Sequence, residues 1–444
     1  MRRKKLVTLI GGVCLILVLA SLPFMAACPA PEEEVPENIK IAAVRSVSGP
    51  LSIFEETAMG PIYKFWEHEV NARGGIYVEE YGKKLPVYID VRDDTSDMDT
   101  MRTLLEEMLA TGDYSFAIGP CCTPFLQAAG VICSEYEVVL IGGEGGATTI
   151  AKQLDLAPYM FANLNYSTWN QVYELCKLLD DWQEYHAPDP IKVYVIYIDD
   201  LFGWEYSGAF HEEAAKYDNI DIIKEVAVET FTADIGEQLL DAQAKGADVF
   251  CSFTYPPTSF VTTGQAMGMG INFNAIVTGP GACYEAYYNP DAGGFGEAVN
   301  GVCGFGAWNG YSSPALEDFA AAMIDFYGTR LPMDWWGGAY YYVGLNCLEK
   351  AIEEAGTLDP ASVREVLATE KLQTILGDTW YTDAEGNWPI GDSGGLLAVG
   401  CHPGEVGQWQ YNVHGDGQWT FEVIDLNENQ TAPALYPKPN WATP

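Results

Sequence analysis

Residues Ile39-Lys40-Ile41-Ala42-Ala43-Val44 are followed, three positions on, by Ser48-Gly49-Pro50. A short apolar run that stops at a turn triplet predicts a buried strand. Helical spacing follows over 57–72 and ends at Gly74-Gly75, a C-terminal glycine stop. The alternation then repeats, with strands expected at 86–91, 116–119 and 138–141 and helices at 98–110 and 125–136. Four strand–helix units in about 110 residues imply a parallel, doubly wound sheet with helices on both faces.

The pattern restarts further on. Strands are expected at 192–198, 220–228, 248–253 and 275–278, with helices at 169–185, 203–217, 235–245 and 259–269. The expected fold class is therefore α/β, two doubly wound parallel-sheet lobes with a ligand cleft between them. Two further helices are expected at 314–327 and 336–354, and short strands at 408–411 and 419–424. Residues 388–407 receive no role, and 429–444 are expected to trail over the surface. In open α/β sheets ligands sit outside the carboxyl ends of the strands. Those ends are the loops 46–54, 120–123, 142–148, 199–202, 254–256 and 278–283.

The N-terminus has a separate logic. Arg2, Arg3, Lys4 and Lys5 precede an apolar run over 6–22, and Met25-Ala26-Ala27-Cys28 follows. A basic region, an apolar stretch and small residues before a cleavage point predict an export signal over 1–27. Small residues before a Cys resemble the lipobox of bacterial lipoproteins, which would lipidate Cys28. Residues 28–37 are then a Pro-rich tether, and the rest is held outside the cytoplasmic membrane. An ordinary signal peptide or a retained anchor is the alternative.

Composition narrows the function. The net charge is −39. Without the four basic residues of the leader, 19 Lys and Arg face 62 Asp and Glu, a charge of −43. Binding to nucleic acid by counterion release needs the opposite sign. Such a surface repels anionic lipid as well, so attachment falls to the acyl chains. Hydrophobic content of 48% and aromatic content of 13% suffice for sizeable cores. Of 11 cysteines, nine lie beyond Cys28, scattered without the spacing of a disulfide framework or a zinc knuckle. They read as small buried hydrophobes.

At this point the order of motifs becomes familiar. The first strand, Ser48-Gly49-Pro50, Asn71-Ala72-Arg73-Gly74-Gly75-Ile76, Asp93-Asp94 and Ile118-Gly119-Pro120 resemble the type I periplasmic binding proteins. The nearest group is the substrate-binding lipoproteins of branched-chain amino acid ABC importers. Val195-Ile196-Tyr197 with Asp199-Asp200-Leu201-Phe202-Gly203, then Thr254-Tyr255-Pro256, then Trp380-Tyr381-Thr382-Asp383 continue it through the second lobe. The resemblance covers roughly residues 38–425. It implies three crossings between lobes, placed near Pro158, Cys303 and Gly377. Lobe 1 is then 38–157 plus 304–377, lobe 2 is 158–303 plus 378–428, and 429–444 is a tail. It also implies hinge closure around one small ligand, a membrane permease as partner, a monomer, and no cofactor.

The family pattern suggests the ligand contacts. Thr123 matches the Ser that grips the ligand carboxylate, a role suited to a helix N-terminus; it also fits a plain N-cap. Cys122 beside it reads as a structural thiol. Gly145 and Gly146 fall where the family offers a backbone carbonyl and a Thr, and Thr148 compensates for the missing hydroxyl by a shifted register. Phe54, Phe202 and Tyr255 match aromatic walls or pack in the core. Ser48 lies in the first loop. Arg45 either pairs with a ligand carboxylate or forms a surface ion pair among the many acids. Gly281 stands where the amino acid binders carry a Glu for the ligand ammonium. A buried, unpaired ammonium is costly, so the expected ligand is a carboxylate, an amide or an aromatic compound, unless Glu144 or Glu285 takes over.

Other functions fit less well. The chain has no Gly-x-Ser-x-Gly elbow and no phosphate-binding loop. His402 and His414, with Cys401, are too sparse for zinc, so neither catalytic nor metal-binding residues are expected. The alternative to uptake is a sensing domain of the same fold, acting with a separate signalling partner.

Overall fold

A computed structural model describes residues 35–145, 147–163, 168–306, 308–399 and 406–441. The expected leader, Cys28, Gly146, Cys401 and His402 lie outside them, as does the side chain of Thr148. The described residues from Asn38 onward form one compact unit.

The first lobe begins with β1 (Ile39–Arg45), in which six of seven residues are buried. Burial on both faces demands a near-continuous apolar run, and that is what the sequence supplies. A small hairpin, β2 (Ile76–Val78) and β3 (Lys83–Leu85), precedes β4 (Val87–Asp93). Then come β5 (Phe116–Ile118), β6 (Val139–Gly142) and β7 (Met160–Ala162). The second lobe repeats the plan with β8 (Ile191–Ile198), β9 (Ile220–Val228), β10 (Val249–Phe253), β11 (Ala275–Gly279) and β12 (Cys303–Phe305). The chain closes with β13 (Leu372–Thr374), β14 (Gly377–Thr382), β15 (Gly395–Val399), β16 (Val406–Tyr411) and β17 (Trp419–Val423).

The eight-stranded sheet runs β13-β14-β15-β7-β6-β5-β1-β4, and the seven-stranded sheet β17-β16-β12-β11-β10-β8-β9. In each, the first strand of the lobe lies between the second and third strands of its parallel run, and pairs parallel with both. The strand order therefore reverses at β1/β5 and at β8/β10. Such switch points open a crevice at the strand carboxyl ends. Among the described residues, no helix is long and apolar enough to cross a membrane.

Three expectations need correction. The first crossing falls later than Pro158, because β7 still pairs with β6 in the first sheet. The third falls after Val399 rather than near Gly377. The antiparallel hairpin β13–β14 joins β15, which pairs parallel with β7, so 377–399 belong to the first sheet. Residues 388–407, without an assigned role, thus include the strand that extends that sheet. The tail does not merely trail: Lys438 is 4% exposed, its N–H bonds Asn274 O at 2.6 Å, and Tyr436 stacks on Trp182 at 4.6 Å. The eight cysteines among the described residues are buried and unpaired.

Candidate functional site

The loops leaving β1, β5, β8 and β10 meet at the two switch points. Phe54 comes from the short helix Ser52–Thr57 after β1, and Cys122 and Thr123 follow β5. Phe202 and Tyr206 come from the helix Leu201–Ala214 after β8, and Tyr255 follows β10. These residues line one cavity, joined by Glu144, Gly145, Gln171, Pro280, Tyr284, Trp336 and Tyr341. Its empty space, open mouth included, is about 420 Å³. Seven of the lining side chains are aromatic. Phe54 meets Tyr255 edge-on at 5.9 Å across the cleft, and Tyr255 stacks on Phe202 at 5.2 Å. Both are favoured ring geometries.

The helix Thr123–Glu135 points its positive end at this space. Pro124 in its first turn needs no N–H partner. Cys122 before it has φ 57°, an uncommon value for a residue with a Cβ. Burial pushes its thiol well above the ordinary value, and neighbouring Cys121 adds to this. Across the cleft, Asp200 caps the helix after β8 by accepting from the N–H groups of Phe202 and Gly203 at 3.0 and 3.1 Å. Burial raises Asp200, against those N–H groups and the Tyr255 hydroxyl beside it. That hydroxyl has no hydrogen-bond partner of good geometry.

Behind the cavity lies a buried ion cluster. Arg45 is 0% exposed. Its Nε reaches Glu55 Oε2 at 3.2 Å, Nη2 reaches Glu144 Oε2 at 2.6 Å, and Nη1 donates to Gly119 O at 2.6 Å. Glu144 Oε1 accepts from Met59 N at 3.2 Å. Glu55 Oε1 accepts from the Tyr63 hydroxyl at 2.5 Å and Lys64 Nζ at 2.8 Å. Burial opposes the Arg45 charge, but Glu144 and Glu55 more than offset it and hold the guanidinium above its ordinary value. Burial also acts on Glu55, yet Arg45, Lys64 and Tyr63 keep that carboxyl below its ordinary value. For Glu144 burial prevails over Arg45 and raises the carboxyl to about 7.

The structure brings Phe54, Cys122, Thr123, Gly145, Phe202 and Tyr255 together in the cavity wall. It does not bring Ser48 there, which is exposed and donates its hydroxyl to Asp93 at 2.7 Å. Arg45 is not a surface ion pair, nor does it line the cavity, because two carboxylates and a carbonyl already occupy its donors. Gly281 sits at φ 121°, and a Cβ there would lie 2.9 Å from Pro256 Cα, so the backbone excludes any side chain. Glu285 is engaged elsewhere, with Arg330 and the Trp335 indole, both at 3.1 Å.

Several lining residues escaped the sequence reading. Tyr284, Trp336 and Tyr341 belong to segments that meet only in three dimensions. Trp335 N donates to Cys283 O at 3.0 Å, and Glu285 N to Met333 O at 2.9 Å, stitching the loop after β11 to the segment before the helix Gly338–Ala355. The run of aromatics at 335–342 was the available signal.

Comparison with known proteins agrees with this architecture. A family model described as "Periplasmic binding protein" matches residues 38–392. A branched-chain amino acid transporter substrate-binding protein from Streptococcus pneumoniae, solved with isoleucine, superposes with a TM-score of 0.68 at 18% identity, covering 87% of this chain and 99% of that one. A solute-binding protein of an ABC transporter from Rhodopseudomonas palustris, solved with 3,4-dihydroxybenzoic acid, gives 0.69 at 16% identity, covering 91% and 99%. A leucine-binding protein from Thermotoga maritima gives 0.67 at 17% identity, covering 87% and 98%.

Proposed function

The chain belongs to the periplasmic binding protein family, and on that premise we propose that it captures a small carboxylate other than an α-amino acid and hands it to an ABC importer. Solute binding for transport, outside the cytoplasm, is the business of the family. The ligand class is our own reading. One observation carries it: seven aromatic side chains surround the N-terminus of the helix Thr123–Glu135, while the backbone at Gly281 leaves no room for an ammonium-binding acid. An aromatic carboxylate, or an aliphatic one of similar girth, suits those walls. Structures of the same fold hold isoleucine in one case and 3,4-dihydroxybenzoic acid in another, so the scaffold itself accepts either chemistry.

Capture in this reading is non-covalent. The carboxylate lies against Thr123 and Cys122 at the positive end of the helix. Phe54, Phe202 and Tyr255 close on the rest of the molecule. Closure brings lobe to lobe through Phe54 and Tyr255, and through Thr149 N, which donates to Glu205 Oε2 at 3.1 Å. We further propose that Cys28 carries a lipid tether, that the protein acts as a monomer, and that the closed form docks on a membrane permease.

A thermal-shift screen of the purified chain tests the ligand class. Ligand at 100 times its dissociation constant adds about 2.7 kcal/mol of stability. Benzoates or aliphatic acids are expected to raise the melting temperature, with leucine and valine inert. A response to leucine but to none of the acids would refute the reading.

A further inference from the structure

We propose that Glu144 is the specificity-determining acceptor of the cavity, selecting carboxylates that carry a hydroxyl able to donate a hydrogen bond. This rests on the capture of a small carboxylate proposed above and goes one step further, to the group that sorts one such acid from another.

Geometry supports the role. Glu144 stands in the cavity wall directly after β6. Its carboxylate is fixed at both oxygens, by Arg45 Nη2 at 2.6 Å and by Met59 N at 3.2 Å. Arg45 is itself locked by Glu55 and Gly119 O. A recognition group whose own orientation is set by such a supporting shell is preorganised for its partner. Each carboxylate oxygen has capacity for a second hydrogen bond.

The surroundings favour a donor over an anion. Tyr284 and Tyr341 line the same wall, and burial holds both phenols protonated, well above their ordinary value. No Lys, Arg or His lines the cavity among the described residues. Gly281 excludes an acid from the position used by amino acid binders, and Glu285 is engaged with Arg330 and Trp335. Among these acids, Glu144 is the one that lines the cavity.

Paired ligands test the assignment by titration calorimetry on the full-length chain. One pair is para-hydroxybenzoate and para-methoxybenzoate; the other is hydroxyhexanoate and hexanoate. At about pH 8.5, above the value of about 7 to which burial lifts the Glu144 carboxyl, a hydrogen bond to the ionised acceptor predicts that the donor-bearing member of at least one pair binds roughly 10- to 100-fold tighter. In folded Glu144→Gln that ratio is expected to fall below about threefold. A wild-type ratio near one in every pair that binds overturns the inference alone, whether or not the variant folds. A large wild-type ratio that survives in folded Glu144→Gln also overturns it. Failure of every acid to bind overturns the carboxylate reading and this inference with it.

Discussion

Arg45→Met separates a structural role for this residue from a ligand-gripping one. In the wild type, the guanidinium neutralises two carboxylates that are 5% and 2% exposed, at 3.2 and 2.6 Å. Methionine fills similar volume but leaves Glu55 and Glu144 facing each other without it. Breaking a buried pair by removing one partner costs about 3–5 kcal/mol, because the remaining charge is uncompensated. Unfolding entropy of about 2.1 cal/mol/K per residue over roughly 400 residues converts this to a fall of roughly 4–6 °C in melting temperature. The loss depends on pH with a definite sign. Burial already lifts Glu144 to about 7 against the pull of Arg45; without that pull it rises further, and Glu55 follows. The folded variant then binds protons that the unfolded chain has released, so its stability improves as pH falls towards the ordinary carboxylate range. Melting followed by circular dichroism at about pH 5.5 and about pH 8 is expected to show the larger deficit at the higher pH. Adding Glu144→Gln to Arg45→Met restores part of it. A deficit under about 1 kcal/mol, or one equal at both pH values, refutes the reasoning, and loss of ligand affinity with stability intact would return Arg45 to the ligand.

Asp334 is fully buried, and burial lifts its carboxyl from 3.8 to about 7 against the N–H groups of Trp336 and Gly337 and the Cys283 thiol. The folded state thus holds a proton that the unfolded chain gives up, so stability contributed at low pH is lost as pH rises from about 4 to about 7; Asp334→Asn is expected to flatten this slope in melts across that window. Gly281→Ala places a Cβ 2.9 Å from Pro256 Cα at φ 121°, and strain of about 1–3 kcal/mol is expected to appear as lost stability in denaturant titrations. Tyr255→Phe removes a buried hydroxyl without a good partner, so the ligand-free protein is expected to be unchanged or more stable by up to about 1 kcal/mol in the same titration.

The two sheets were legible because the inner strands of a doubly wound lobe are buried on both faces and are mostly apolar. The runs beginning at Ile39, Phe116, Ile191 and Val249 follow this, with Lys40 and Lys192 near the strand starts as the half-buried exceptions, and the turn residues after them mark their ends. The third crossing was not legible, since β13–β15 lie at one end of the first sheet and owe their place to pairing with β7, about 230 residues earlier in the chain. Loop positions at the switch points follow from the strand pattern, and within those loops the family resemblance singled out Phe54, Thr123, Phe202 and Tyr255. Arg45 was misread for a physical reason. Nothing local distinguishes a charged residue at a strand end that meets solvent from one enclosed by partners 10 and 99 residues away. Tyr284 and Tyr341 join the wall through a backbone stitch that has no local signature.

The ion cluster behind the cavity is hard to justify as a source of stability. Taking three charged side chains out of water costs several kcal/mol per ion, and apolar residues of equal volume commonly serve a core as well or better. The cluster lies where the surrounding strands are apolar, between β1 and the loop after β6, so packing alone does not call for it. Its geometry is asymmetric in a telling way. Glu55 is satisfied by Arg45, Tyr63 and Lys64, and Lys64 extends to solvent. Glu144 has Arg45 and one backbone N–H, and then meets the cavity. Arg45 therefore transmits support inward: a well-anchored Glu55 holds the guanidinium, and the guanidinium holds Glu144 at the wall. An apolar replacement of the three would keep the fold and leave the wall without an oriented acceptor. The expense of burying these charges is intelligible if the property retained is the direction in which Glu144 points, because a carboxylate free to rotate would not distinguish one acid from another.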